Sequence, residues 1–461
     1  MKKVIFLAVL LLGFSGAIVA YEWQVETIES DGDVGHFSSI ALDSQGYPHI
    51  VHCDRTNGQV KYDFWNGSTW EIQVIDMIGT FPNTTNSISI VIDENDYPHV
   101  AYHNYNQGNL KYAFWNGSAW QIETVDSQGN VGRYASLQLD SNEYPHIAYC
   151  DWTDGWHLKL KYANWNGSSW QFQTIDTLSI GGLYASLCLD QEDNPHISYH
   201  DRNTWSLKYA YWDGSNWQIE TVDSNGNVGS YQTSLALDSL DRAHISYFEY
   251  SIESLKYAYW DGSNWQIETV DYGDAGWYSS LALDSYGYPH ISHHGQGGEL
   301  CYVEWDGAAW TSEIVPTGSS FPVETSLALD SFDYPHISFL GDLTNLMYAS
   351  AISTGIQEPN YPVGNETQIA TLYQNHPNPF NPSGAGRSPQ TTISYKLSKP
   401  SRISLSIYNI KGELVETLVN KEQQAGNHSV VWNAENISSG IYFYRITAGN
   451  FSETKKCVIL K

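Results

Sequence analysis

Ser234-Leu235-Ala236-Leu237-Asp238, a turn, His244-Ile245-Ser246-Tyr247, a turn, Leu255-Lys256-Tyr257-Ala258-Tyr259-Trp260, Asp261-Gly262, and then Trp265-Gln266-Ile267-Glu268-Thr269-Val270 form one unit of this chain. β-branched and aromatic residues alternate through each run, and Gly, Asn, Asp, Ser and Pro separate the runs. The unit therefore reads as four short strands, named b, c, d and a in chain order. The unit recurs. Its strand-c histidines are His49, His99, His146, His196, His244, His290 and His336, spaced 50, 47, 50, 48, 46 and 46 residues apart. Pro precedes each of them except His244, which follows Ala243. A fixed period in this range marks a repeat architecture whose units bury their apolar faces against neighbours. Nothing in the region has a sustained helical period.

The turns predict the pairing. Asn66-Gly67, Asn116-Gly117, Asn166-Gly167, Asp213-Gly214, Asp261-Gly262 and Asp306-Gly307 stand between d and a. These dipeptides accept the positive φ of a tight hairpin, so d and a are antiparallel neighbours. The b–c turn is also short, whereas the a–b connection, such as Asp223–Gly229, is longer and suits a crossing between sheets. The sheet order is then b, c, d, a, with b innermost. Ala236, Ala282 and Ala328 fit the crowded axis. Strand a begins at Trp23, Trp70, Trp120, Trp170, Trp217, Trp265 and Trp310. The first a strand precedes every b strand, and the last d strand, near Met347-Tyr348, has no a strand after it. Trp23–Glu29 can complete the last sheet and close a ring. The expected fold is all-β: a seven-bladed β-propeller over residues 21–352, closed by strand exchange, which leaves only short, protected edges.

The Trp-Asp pairs do not make this a WD40 propeller, because Asn replaces Asp in three copies and the pair sits in a hairpin turn. The repeats resemble the loosely defined propeller repeats of sialidase-like and lectin-like exported proteins. The Asp-Gly-x-x-Trp turn is similar to the sialidase Asp-box, with spacing that differs by one residue.

The chain has 461 residues and a net charge of −29. Residues 21–350 hold 44 acidic and 10 basic side chains, and residues 351–461 hold 7 and 10. So acidic a body argues against nucleic acid and anionic membrane as partners, since both need basic patches. Lys2-Lys3, an apolar run from Val4 to Leu12 and small residues after it read as a signal peptide, residues 1–20; the run is too short for membrane insertion. Five cysteines, Cys53, Cys150, Cys188, Cys301 and Cys457, are scattered over the units and do not form a disulfide framework.

Composition shifts after Ser350. Residues 353–370 read as a polar linker. Six alternating strands between Thr391 and Leu460 predict a small immunoglobulin-like β-sandwich. Asn378-Pro379-Phe380-Asn381-Pro382, Ile407-Tyr408-Asn409-Ile410-Lys411-Gly412, Gly440-Ile441-Tyr442-Phe443-Tyr444-Arg445 and Lys455-Lys456 carry a second resemblance. Residues 371–461 resemble the type A C-terminal sorting domain of the type IX secretion system, which shares an immunoglobulin-like form with the flagellar hook-capping protein. The resemblance implies the type IX machinery as a partner, and a secreted or outer-membrane surface location in a Gram-negative bacterium. Gly384–Gln390 is an insertion relative to that pattern.

The seven repeated histidines are expected to be structural, because a catalytic site is a single asymmetric constellation. Each ring is placed to cap a neighbouring backbone group between blades. Departures from the repeat carry more information. The a–b and c–d loops share one face and vary in chemistry, as binding loops on a rigid scaffold do. They bring forward Asp54, Arg55, His103, Trp152, Trp156, His157, His200, Asp201, Arg202, Trp205, Trp277, Tyr278 and His294 as candidate ligand-binding residues. Aromatic platforms beside Asp, Asn and Arg suit sugars: ring faces cover C–H faces and polar groups read hydroxyls. The expected function is binding of an extracellular polysaccharide. The alternatives are a carbohydrate-active enzyme and a protein-interaction scaffold. A lyase would use His293, His294, His200 and Arg202, a base with a cation to neutralise a uronate. A sialidase needs three convergent arginines, and the body holds only Arg55, Arg133, Arg202 and Arg242. No metal site is expected from Cys53, His103, Cys150, His200 or His294, which stand about a blade apart, beyond ~2 Å bonds to one ion. The a–b loop Glu29-Ser30-Asp31-Gly32-Asp33 could hold a structural calcium but lacks an EF-hand spacing. No other cofactor is expected.

Overall fold

The computed structural model describes residues 21–79, 88–155, 158–176, 181–353, 370–372, 375, 390–397, 399–409, 414–424, 426–434, 437–448 and 451–459. The expected signal peptide and most of the expected linker lie outside them. Among the described residues every regular element is a strand, and no helix is long and apolar enough to cross a membrane. The chain divides into two compact units, Met1–Gln357 and Glu358–Lys461.

The first unit holds seven four-stranded antiparallel sheets, each in the order b, c, d, a. Blade 1 is His36–Leu42, Pro48–Asp54, Gln59–Trp65 and Trp70–Met77. In its d–a hairpin Trp65 faces Trp70, Gly67 takes φ +89°, and Asn66 Oδ1 accepts the N–H groups of Ser68 and Thr69, at 2.9 Å each. Blade 7 takes its outer strand from the front of the chain. Its order is Tyr21–Glu29, Asn345–Ser353, Pro335–Gly341, Val323–Leu329, with Trp23 opposite Ala351.

Two girdles close the ring. A serine on each b strand accepts the backbone N–H of the next: Ser39 from Ile90, Ser89 from Leu137, and so on to Ser326 from Ile40, all at 3.0–3.3 Å. These serines also line the axial channel. Ala236, Ala282 and Ala328 pack instead against the apolar core between blades. Further out, the strand-a tryptophan of each blade meets edge-on the strand-d tyrosine of the preceding blade. The series runs from Trp120 on Tyr62 to Trp23 on Tyr302 and Trp70 on Tyr348.

The seven repeated histidines are structural, with side-chain partners inside their own blade rather than backbone groups between blades. His49 Nδ1 meets the Tyr62 hydroxyl from strand d, and its Nε2 lies 3.5 Å from Asp43 at the end of strand b. The other six repeat this line, from His99 with Tyr112 and Asp93 to His336 with Tyr348 and Asp330. Burial holds His49, His99, His146, His196 and His244 below the ordinary histidine range. Asp43 Oδ1 also accepts the N–H groups of Gln45 and Tyr47, which fixes the b–c turn. All five cysteines are free.

The second unit has a three-stranded sheet (Ala370–Leu372, Gln390–Leu397, Gly426–Asn433) and a four-stranded one (Leu414–Gln423, Ser401–Asn409, Gly440–Ala448, Phe451–Ile459). They share a core of Ile393, Tyr395, Leu405, Ile407, Trp432, Tyr444, Ile446 and Cys457. Asn375 is buried beside it, donating its backbone N–H to Tyr444 Oη at 2.8 Å and Nδ2 to Thr391 Oγ1 at 2.9 Å.

Candidate functional site

The alternation of the four strands puts the a–b loops and c–d turns on one face. The backbone stitches them together there: Arg55 N donates to Asp33 O at 2.8 Å, Trp152 N to Asn130 O at 2.7 Å, and Tyr250 N to Asn227 O at 2.8 Å. On this face the b strands of blades 1 and 3 to 7 begin with a bulge. The register shifts between His36 and Ser39, and again at the matching points of blades 3 to 7. The bulged residues Phe37, Tyr134, Tyr184, Tyr231, Tyr278 and Glu324 hold φ between +54° and +71°. A left-handed backbone costs a large side chain about 1–2 kcal/mol. Here it turns that side chain toward the channel mouth, where all six contribute to the wall. Tyr134 and Tyr184 have centroids 4.7 Å apart, and Tyr231 stacks on Trp277 at 4.7 Å and 16°.

One sector of this mouth opens into a cavity of about 430 Å³, where blades 6, 7 and 1 meet. Its size falls in the range of small-molecule sites, ~300–1,000 Å³. Asp33 comes from the loop after the closing strand, His36 from the start of blade 1 strand b, Arg55 from the blade 1 c–d turn, Trp277 and Tyr278 from blade 6, and Phe321 and Glu324 from blade 7 or the loop leading into it. His36 Nε2 donates to Asp33 Oδ1 at 2.7 Å, and its Nδ1 stands 3.4 Å from Glu324 Oε2. Glu324 Oε2 accepts the Phe37 N–H at 2.7 Å. The Arg55 guanidinium lies over the Phe37 ring at 5.4 Å. Two buried polar atoms of this lining, His36 Nδ1 and Trp277 Nε1, make no hydrogen bond among the described residues.

Of the residues marked by sequence, Arg55, Trp277 and Tyr278 meet in this cavity. The rest stand elsewhere. Asp54 and Asp201 are buried turn residues: Asp54 accepts the Asn57 N–H at 2.9 Å, and Asp201 the Asn203 N–H at 2.9 Å. His103, His200 and His294 are buried, and each donates Nδ1–H to a backbone carbonyl, of Val131, Val228 and Pro322, at 2.8, 2.8 and 2.7 Å. Burial pushes His103 down to about 4 and lowers His200 as well. The His294 ring does not line the cavity but lies 4.7 Å from that of Phe321, which does. His293 is fully buried. Trp152 holds the Arg133 guanidinium over its ring at 4.7 Å. Arg202 and Trp205 are exposed on the blade 4 turn, Trp205 by 47%. Trp156 and His157 lie outside the described residues. His36, Phe321 and Glu324 were not marked by sequence, and Asp33 only as part of the possible calcium loop. Glu324 stands where blades 1 and 3 to 6 have Phe or Tyr, but only ring closure brings the four residues together.

Residues 376–460 match the secretion system C-terminal sorting domain. This sorting domain implies export, with the secretion machinery as partner and a secreted or cell-surface destination. No curated protein matches the chain. Among solved structures, the SapL1 lectin in complex with alpha methyl fucoside is 14% identical, covering 62% of this chain and 98% of its own, with a TM-score of 0.45. The polysaccharide lyase Uly1 is 12% identical over 71% of this chain and 91% of its own, with a TM-score of 0.48. PorZ, a surface component of the type IX secretion system of Porphyromonas gingivalis, is 11% identical over 95% of this chain and 61% of its own, with a TM-score of 0.46.

Proposed function

We propose that the exported propeller binds an extracellular glycan, seating one sugar in the cavity between blades 6, 7 and 1. The observation that carries this reading is the lining of the cavity, where the Trp277, Tyr278 and Phe321 rings stand beside the Asp33 and Glu324 carboxylates and the Arg55 guanidinium. An apolar sugar face would lie on the aromatics while Glu324 and Asp33 accept from its hydroxyls. An immobilised polysaccharide panel followed by calorimetry tests it. Trp277→Ala is expected to weaken binding about tenfold, which is ~1.4 kcal/mol, and Glu324→Gln by a smaller factor. Retention of no glycan by the wild-type protein overturns the reading, and loss through Trp205→Ala instead would move the site to blade 4.

His36, with Asp33 orienting it and Arg55 close by, also favours a second reading. A base held by a carboxylate beside a guanidinium is what β-elimination from a uronate requires. Release of an ultraviolet-absorbing unsaturated uronate by the wild-type protein, and not by His36→Gln, would establish this activity.

A further inference from the structure

One position on strand c is repeated around the ring as His52, Tyr102, Tyr149, Tyr199, Tyr247, His293 and Phe339. In blades 2 to 5 the tyrosine donates to an acid at the end of strand a of the preceding blade: Asp76, Asp126, Asp176 and Asp223, at 2.7–2.9 Å. In blades 3 and 5 a strand-d lysine reaches the same carboxylate: Lys161 lies 2.6 Å from Asp126 and Lys256 lies 3.0 Å from Asp223. The buried acid is therefore met by a hydroxyl and an ammonium. In blade 7 Pro316 takes the acid's place, and the partners become Phe339 and Met347. Blade 6 breaks the rule. It keeps the acid, Asp271, and replaces tyrosine by His293 and lysine by Cys301.

These three side chains present their donor atoms to one point. His293 Nε2, a carboxylate oxygen of Asp271 and Cys301 Sγ all lie within 4.8 Å of one another, with His293 Nε2 3.5 Å from Asp271 Oδ2. His293 is fully buried, and its Nε2 makes no hydrogen bond among the described residues. Its Nδ1 stands 3.0 Å from the carbonyl oxygen of His294, and the Gly276 N–H lies 3.0 Å from the same carbonyl and 3.2 Å from Nδ1. With the Gly276 N–H on the nearer acceptor, the carbonyl, Nδ1 donates to that oxygen as well and the Nε2 lone pair points at the other two groups. A metal-bound imidazole is held in this way, with its far N–H on a backbone carbonyl. Gly295 makes room for the sulfur, since a Cβ there would come within 2.3 Å of Cys301 Sγ. We propose that Asp271, His293 and Cys301 bind a divalent transition-metal ion, zinc by the chemistry of the set, in the place the lysine ammonium occupies in blades 3 and 5. One thiolate, one imidazole and one carboxylate are a zinc-type set, and bonds of ~2.0–2.3 Å draw such atoms together with a fourth position left to water. Binding replaces the Cys301 thiol proton, which passes to solvent. Without the ion, burial pushes that thiol up to about 12.

Blade 1 holds a similar trio, Glu29, His52 and Asp63, which is already closed. There the Gly35 N–H donates to His52 Nδ1 at 3.0 Å, so Nε2 carries the ring proton and faces Asp63 Oδ2 at 2.8 Å. Lys61 is also retained, 2.6 Å from Glu29.

The test uses the full chain, stripped with a chelator and reloaded with zinc or cobalt(II). About one zinc per chain is expected by elemental analysis, and the cobalt form is expected to show a near-ultraviolet thiolate-to-metal charge-transfer band. Cys301→Ser and His293→Gln should each abolish that band, and His52→Gln should keep it. Should a variant misfold by circular dichroism, alkylation of Cys301 in the wild-type protein provides the same reading: zinc should protect it. A protein that takes up no stoichiometric metal, a band that survives Cys301→Ser, a band lost in His52→Gln, or unprotected alkylation overturns the assignment. None of these readings depends on glycan binding.

Discussion

The pair His52 and Asp63 shows how a single exchange propagates. The position of Asp63 is Ala113, Ala163, Ala210, Ala258, Val303 and Ala349 in the other blades, so a carboxylate stands where the repeat has an apolar residue. Burial pushes its carboxyl up. Burial also disfavours the charged His52 ring, but Asp63 and Glu29 outweigh it and lift that ring to about 9. The Gly35 N–H occupies the nitrogen that a second proton would need, so we favour the neutral ring. Removing one partner of such a buried pair leaves the other unsatisfied, at a cost of ~1–3 kcal/mol, whereas replacing both with packed residues is often neutral or stabilising. Asp63→Ala should therefore be strongly destabilising in urea unfolding. His52→Tyr with Asp63→Ala, which restores the pattern of blade 2, should recover most of the loss. A double variant as unstable as the sum of the singles would refute the coupling. Reading the sequence singled out polar residues on strand c, among them His103, His200 and His294, without seeing that they face inward. Both faces of strand c are covered by neighbouring blades, so the period of two that separates core from solvent in a one-sided sheet carries no such information here.

Strands and hairpins were legible because Asn-Gly and Asp-Gly turns and the strand-initial tryptophans recur with little variation, and the closing role of Tyr21–Glu29 followed from counting them. The strand-b bulges were not legible. A tyrosine with φ near +55° is a position that local preference disfavours, so Val228–Leu237 reads as a loop followed by a short strand instead of one bulged strand. The closing strand also carries a pH response. Trp23 Nε1 donates to Glu313 Oε1 at 3.1 Å, and the Tyr21 hydroxyl donates to Glu304 at 2.7 Å. Burial pushes the Glu313 carboxyl up to about 7, against the pull of the Trp23 indole and with Glu304 adding to it. The folded value lies above the unfolded one, so the fold favours the protonated acid. That contribution is fully present below the unfolded value, ~4.3, and is lost as pH rises through about 7. Thermal unfolding at about pH 5 and about pH 8 should show a fall in midpoint that Glu313→Gln reduces by ~2 °C or more. An unchanged fall would exclude Glu313 as its source.

At the scale of the whole chain, the cavity is a product of circular closure. His36 and Glu324 stand 3.4 Å apart in space and at opposite ends of the propeller sequence, so no local motif joins them. Arg55, Trp277 and Tyr278 could be marked singly as departures from the repeat, but not as one site. The division of charge has a structural counterpart: the acidic propeller and the more basic tail are separate compact units, each with its own core. Cooperative unfolding follows the core that a segment shares, and among the described residues each unit has apolar clusters of its own. Residues 21–357 expressed alone should therefore fold to a closed propeller, with the same thermal midpoint as one transition of the full chain and the same glycan affinity within about twofold. The second transition should be missing. Residues 358–461 fused to a β-rich reporter should direct its export in a host with the cognate machinery, and the truncated propeller should stay behind the outer membrane. A truncated propeller that unfolds in a broad, early transition would show that the tail supports the ring, and the separation of scaffold from export signal would then fail.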